Sequence, residues 1–173
     1  DLEKDGLAED TIVVYTSDHG GALGRSKRFL YDSGTHAAHI VRIPEKYKHL
    51  RPAEVPGTRI DELVSFLDIT KTWLAITNSE IPPEMQGCVY LGPKTEPVRD
   101  YVHMARNRID ECPDMQRALR DKRYLYIRNF EPFRPNGQYL EYLWKAPSMK
   151  AWHKYHLAGK TDAVTGAFFR PCL

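Results

Sequence analysis

Asp18 and His19 stand side by side within the segment Thr11 to Gly34, and Lys27 follows eight residues after the histidine. Asp18 offers hard oxygen donors and His19 an imidazole. Both follow an apolar run, Ile12-Val13-Val14-Tyr15, rich in β-branched and aromatic residues. Such a run reads as a buried strand. In an open α/β sheet, ligands collect beyond the carboxyl ends of the strands. A carboxylate and an imidazole therefore sit where a metal ion or an anion is expected. Lys27 is a compact cation suited to a tetrahedral oxyanion. The combination suggests metal-assisted chemistry on an anionic ester, with half of the site missing from the chain.

Several elements must position these groups. Gly6 and the flanking Leu2 and Leu7 suit a helix that ends just before the first strand. After the Gly20-Gly21 turn, a loop runs to Gly34. His39 to Ile43 reads as a second strand closed by Pro44. Glu45 to Thr58 reads as a surface loop and Leu63 to Leu67 as a short strand. Asp68 is a candidate N-cap for a helix to about Asn78, with Ile69, Trp73, Leu74 and Ile76 turned inward. Glu80 to Gly92 reads as a loop.

Beyond that loop the pattern changes. Arg99 to Arg106 reads as a strand. Met115 to Arg120 and Arg123 to Arg128 flank Asp121-Lys122, which fits a two-residue hairpin turn. Tyr124, Tyr126 and Arg128 alternate with Leu125 and Ile127, the period of a half-buried strand. Tyr139 to Leu157 has a helical pattern, broken by Pro147 as the first residue of a second helix and ended by Gly159. The layout is an α/β part over 1–92 and a smaller antiparallel part with C-terminal helices over 93–173.

Composition narrows the classes. A net charge of +2 demands neither nucleic acid nor an anionic membrane. No apolar run reaches membrane-spanning length, and no signal peptide is seen. The three cysteines, Cys88, Cys112 and Cys172, have no CxxC spacing and leave the redox compartment open. Both ends look cut, so the sequence reads as an internal or C-terminal piece of a longer protein.

The sequence Ser17-Asp18-His19-Gly20, then Lys27, Leu30, Tyr31, Gly34 and Thr35, then Ile40-Val41-Arg42 and Pro44, resembles the C-terminal half of the sulfatases. These belong to the alkaline-phosphatase-like superfamily. Leu67-Asp68-Ile69 and the Met115 to Asn129 hairpin are similar to the family as well. Ser33 to His36, Glu45 to Tyr47 and Tyr139 to Trp144 look most like bacterial heparan N-sulfatase-like (N-sulfoglucosamine sulfohydrolase-like) members. One departure is local. Where the family commonly reads G-T-x-V-P-L-I-V-R, this chain places Ala38 at the proline and His39 at an apolar position.

The resemblance implies an α/β fold: the C-terminal part of an alkaline-phosphatase-like sandwich, with a small antiparallel sheet and C-terminal helices. It also implies a divalent metal, usually calcium, with Asp18 and His19 on its second ligand pair. Lys27 falls on the lysine that contacts the sulfate. The first Asp pair and the C/S-x-P-x-R motif that becomes formylglycine have no counterpart here, so the nucleophile is expected on the N-terminal part that the sequence lacks. Asp18 suits calcium. His19 suits zinc or manganese better as a direct ligand, or else hydrogen-bonds the sulfate or the formylglycine hydrate. The implied substrate is a sulfated carbohydrate of the heparan type, and the implied location is periplasmic or secreted.

Other readings stay open at this point. His36 could face substrate or be a solvated or packed side chain. Arg106 and Arg108 could contact sulfate or carboxylate in a sugar-binding loop, Arg106 to Glu111, or that run could simply be solvated. His39 and His103 read as structural. The tyrosines and tryptophans from Tyr124 to Tyr155 could stack on sugars or form core. Two alternatives to a sulfatase are compatible with the motif. One is a phosphoester hydrolase or phosphotransferase of the same superfamily with zinc or manganese. The other is a non-catalytic glycan-binding or truncated product.

Overall fold

The computed structural model describes residues 1–172. Its tertiary contacts form two compact units interleaved along the chain. The first comprises Asp1–Thr16, His39–Val102 and Arg120–Tyr124; the second comprises Ser17–Ala38, His103–Leu119 and Leu125–Leu173.

The first unit opens on one helical turn. Leu7 N–H donates to Leu2 O at 2.8 Å and Gly6 N–H to Glu3 O at 3.2 Å, with Gly6 at φ 69°. These nested bonds around a left-handed glycine are how helices commonly close. Strand β1 (Val13–Thr16) then pairs antiparallel with β2 (His39–Arg42), Val13 opposite Arg42 and Thr16 opposite His39; between the two along the chain comes a one-turn helix, α1 (Asp32–Thr35). The expected burial of β1 is not seen. All four residues are exposed, Tyr15 at 64%. A two-stranded ribbon has a single neighbour per strand, and the half-buried side is that of His39 and Val41 on β2 rather than that of β1. Pro44 ends β2 as expected, but Glu45–Leu50 coils into a 3₁₀ segment with Leu50 buried, so this stretch is more than a surface loop. Arg51 fixes it through Ile43 O and Glu45.

Helix α2 (Phe66–Ile76) starts earlier than expected, and Leu63 to Leu67 makes no strand. Ser65 is the N-cap. Asp68 sits at the third helical position and closes a capping box by accepting Ser65 N–H at 2.6 Å. Its other oxygen accepts Cys88 N–H at 2.7 Å and the Arg99 guanidinium. The carboxylate is thereby buried with its lone pairs used. Asp68, Thr72 and Ala75 form the buried stripe, while Ile69, Trp73, Leu74 and Ile76 are half-buried. The irregular stretch after the helix is held by side chains: Glu96 accepts Val89 N–H and Lys71, and Thr72 accepts Tyr90 N–H. His39 reaches Tyr90 Oη at 2.8 Å. Burial lowers the His39 pKa and, with the Asp68 charge, pushes Tyr90 up to about 12.

In the second unit, β3 (Val102–Arg106), β4 (Gln116–Arg120) and β5 (Leu125–Asn129) form a sheet in that order. The β4–β5 connection is longer than two residues. Asp121 N–H bonds Tyr124 O, and the Asp121 carboxylate accepts the Arg123 N–H, so a four-residue Asx-type turn replaces the tight one. On β5, Tyr126 and Arg128 face out while Leu125 and Ile127 are half-buried, as the alternation requires. Two helices follow, α3 (Glu141–Trp144) and α4 (Pro147–Leu157), the latter with Pro147 at its first turn and Gly159 at φ 68° beyond its end. Phe29, Leu140, Leu143, Trp144, Met149 and Phe168 make the core. Of the aromatic stripe, Trp144 is in this core and Trp152 stacks on Phe168 at 4.7 Å. The tyrosines stay exposed, because their hydroxyls keep solvent and their strand or helix partners point inward.

The segment 17–38 of this unit is a compact loop that closes at its neck. Ser17 N–H donates to Ala38 O at 3.1 Å, and Ala38 N–H to Ser17 Oγ at 3.2 Å. A proline at 38 would lack that second donor. Inside, the Gly20 and Gly34 backbones touch, with Gly20 N–H on Gly34 O at 3.1 Å. Buried Ser26 donates Oγ–H to Ser33 O at 2.6 Å, and Ser33 Oγ–H returns to Arg25 O at 2.5 Å. A Cβ on Gly34 would lie 2.2 Å from Ser26 O, and one on Gly20 would lie 1.7 Å from Ser33 O.

Two outcomes are expected. Gly34→Ala should lower stability by about 1–3 kcal/mol in a denaturant titration, since backbone atoms must move to admit the methyl. Gly21→Ala, whose nearest contact is Leu23 at 3.8 Å, serves as the matched control and should be nearly silent. The exposed β1 edge should make the isolated 173 residues self-associate. Light scattering that returns a monomeric mass, together with a cooperative melt, would contradict this.

Candidate functional site

Asp18 and His19 lie at the start of the 17–38 loop, just after β1 ends. His19 Nε2 stands 3.2 Å from Asp18 Oδ2, and its Nδ1 is 2.6 Å from Gly20 O. Both neighbours are acceptors, the Gly20 carbonyl at Nδ1 and the Asp18 carboxylate at Nε2, so each contact is a hydrogen bond only where that ring nitrogen carries a proton. Asp18 is 85% exposed at its side chain, so its oxygens are free to take a cation from solvent.

Lys27 is on the same loop, its N–H bonded to Gly21 O at 3.0 Å. Its ammonium donates to Tyr142 Oη at 3.3 Å and lies 4.5 Å from the centre of that ring. Among the described residues it has no carboxylate partner. Arg28 shares the ring at 4.6 Å but is paired with Asp110 at 2.5 Å. His36 is exposed at the centre of an inverse γ-turn, φ −82° and ψ 75°, with Ala37 N–H on Thr35 O.

Arg106 is placed differently from a surface contact. Its side chain is 3% exposed, lies 4.4 Å over the Phe29 ring and pairs with buried Asp114 at 3.2 Å. Burial lowers its pKa, while the Asp114 charge acts the other way. In this unit Arg106 is an interior cation. Arg108 is exposed and donates Nε–H to Asp110 O at 2.9 Å. The rest of the run is used internally: Asn107 accepts Arg117, Asp110 holds Arg28, and Glu111 accepts Glu141 N–H at 2.6 Å. That last bond keeps the Glu111 carboxyl below its usual range.

The loop thus brings Asp18 to His19, while Lys27 meets Tyr142 and makes no ion pair with Asp18 among the described residues. Sequence reading did not pair Lys27 with Tyr142, nor Arg28 with Asp110. Both contacts join residues far apart in the chain, and no local spacing signals them. Among the described residues, no three His, Cys, Asp or Glu side chains converge to hold a metal ion. Asp18 supplies the hard oxygens a calcium ion takes, but such an ion needs about six to eight. The donors present therefore fit one part of a coordination shell, open to solvent, and do not complete it.

Known proteins resemble this chain in sequence and in fold. Residues 1–79 match the family described as Sulfatase. An ulvan-active sulfatase of Formosa agariphila is 39% identical over 98% of this chain and 27% of its own length. An N-acetylglucosamine-6-O-sulfatase of Bacteroides thetaiotaomicron is 33% identical over 50% of this chain and 15% of its own length. The chain thus spans about a quarter or less of these relatives. A solved structure holding its substrate, D-glucosamine-2-N,6-O-disulfate, superposes with a TM-score of 0.55 at 23% identity, over 75% of this chain and 27% of that one. The loop that carries Asp18, His19 and Lys27 lies within the matched residues 1–79, and with the extended likeness to the curated relatives this places the chain in the sulfatase family.

Proposed function

We propose that the protein to which this chain belongs hydrolyses sulfate esters or sulfamates of sulfated glycans. The observation that carries this reading is the loop itself: an exposed carboxylate beside an imidazole, and a lysine with no carboxylate partner among the described residues, within the part of the chain that matches the family. Asp18, with His19 beside it, would hold a divalent metal, calcium by the hardness of the donor. That metal supplies charge neutralisation at the sulfate oxygens. Lys27 adds a second positive charge there, stabilising the negative charge that builds as the S–O or S–N bond breaks. The nucleophile, a formylglycine hydrate in this reading, comes from sequence outside this chain. In the same reading 1–92 belongs to the catalytic α/β domain and 93–173 to a C-terminal subdomain.

A relative that aligns over nearly the whole chain is an ulvan-active sulfatase, which favours ulvan over a heparan-type sugar. The glucosamine-sulfate reading keeps support from the Bacteroides relative. Released sulfate, measured by ion chromatography with ulvan oligosaccharides and with a 6-O-sulfated N-acetylglucosamine side by side, separates the two. A secreted or periplasmic location fits extracellular polysaccharides of either kind. No helix among the described residues is long and apolar enough to cross a membrane.

His36, exposed on the loop, and Arg108, exposed near Asp110, are the further substrate contacts we propose. Arg106 supports the loop from within through Phe29, so its part in substrate binding would be indirect. Two outcomes follow from these roles. In the whole enzyme, Lys27→Ala should lower kcat roughly a hundredfold or more with a smaller change in KM; unchanged turnover would remove Lys27 from the sulfate. The 173 residues alone should release no sulfate from either substrate, because the nucleophile and the remaining metal donors are outside them. Detectable release by the purified piece would refute that division.

A further inference from the structure

We infer that Tyr142 is the positioning residue for the Lys27 ammonium, holding it from α3 so that its remaining N–H groups face the anion. This rests on the reading of Lys27 as a sulfate-facing cation.

A lysine ammonium on a four-carbon stem samples many rotamers in water, and an anion must then order it on binding. Here the ammonium is already engaged. Its Nζ lies 3.3 Å from Tyr142 Oη and 4.5 Å from the ring centre. The hydroxyl oxygen accepts one N–H and the ring face attracts the charge. Two N–H donors stay free for an oxyanion. A carboxylate in the same place would hold the lysine more tightly but would neutralise it and repel a sulfate; a phenol holds it without doing either.

Tyr142 is itself fixed. It lies on α3 between Glu141, whose N–H is capped by Glu111, and the buried Leu143 and Trp144. The residue beside Lys27 is tied to the same place. Arg28 sits 4.6 Å over the Tyr142 ring and pairs with Asp110, next to Glu111. Arg28 and Asp110 both have positive φ, 77° and 49°. Such backbones persist in non-glycine residues only where surrounding contacts impose them. Asp110 neutralises Arg28, so two cations can share one ring, and of the two Lys27 keeps a charge that no carboxylate among the described residues matches. The run 107–112 thus clamps both the Lys27 segment and α3.

A double-mutant cycle in the whole enzyme, assayed for sulfate release with ulvan oligosaccharides, tests this. Tyr142→Leu is expected to lower kcat about tenfold while KM moves less than about twofold. Tyr142→Phe keeps the ring and should recover most of that loss. In a Lys27→Ala background, Tyr142→Leu should have no further effect. An equal loss from Tyr142→Leu with and without Lys27, at unchanged Lys27→Ala impairment, overturns the positioning role and leaves the lysine reading intact. A silent Lys27→Ala overturns both. Should Tyr142→Leu fold poorly, Tyr142→Phe alone decides: a two- to threefold kcat loss present only with Lys27 supports the role, and an identical loss without Lys27 refutes it.

Discussion

The close approach of two glycine backbones, Gly20 and Gly34, is the constraint on which the candidate site depends. Each occupies space that a side chain would fill, and the carbonyls of Ser26 and Ser33 take that space instead. The contact folds the 17–38 segment back on itself, so Ser26 can be buried with its hydroxyl satisfied and Phe29 can reach the core. Once the loop is closed, Asp18 and His19 emerge at one end and Lys27 along its side. A long polar segment between two short strands would otherwise have too little apolar surface to order itself. The serines supply the hydrogen bonds and the glycines supply the room.

Charge is distributed by assignment. Arg106 is matched by Asp114 in the interior, Arg28 by Asp110 at the surface, and Arg99 by Asp68 beneath α2. Lys27 is matched by an aromatic ring. A binding surface for an anion needs positive charge that the protein has not already cancelled. Placing the carboxylates on the neighbouring arginines leaves that charge on one flexible side chain, whose freedom the ring then restricts.

The elements with a local signature were legible in the sequence. Pro44 and Pro147 mark a strand end and a helix start, and Gly6 and Gly159 take the left-handed backbone that closes a helical turn. The alternation on β5 tells its inner from its outer face. Asp18, His19 and Lys27 were visible because their order along the chain matches a family pattern. What escaped was set by distant partners. Asp68 looked like an N-cap because a carboxylate at either position can serve a helix start; Ser65, the Cys88 N–H and Arg99 decide which. Arg106 looked like a surface contact because nothing nearby announces Asp114 or the Phe29 ring. The apolar run of β1 predicts burial, yet burial needs a covering layer, and the four β1 residues are left exposed.

Phe29 belongs to the loop that carries the candidate site, and Phe168 lies almost at the other end of the sequence; their rings meet at 5.3 Å. Trp152 stacks on the same Phe168, and Gly24 of the loop lies against Trp152. The loop therefore takes part of its apolar cover from residues far along the sequence, which join Leu140, Leu143, Trp144 and Met149 beneath Phe29. Trimming the Phe168 ring would spare every candidate contact residue and still withdraw aromatic support from the loop that carries them.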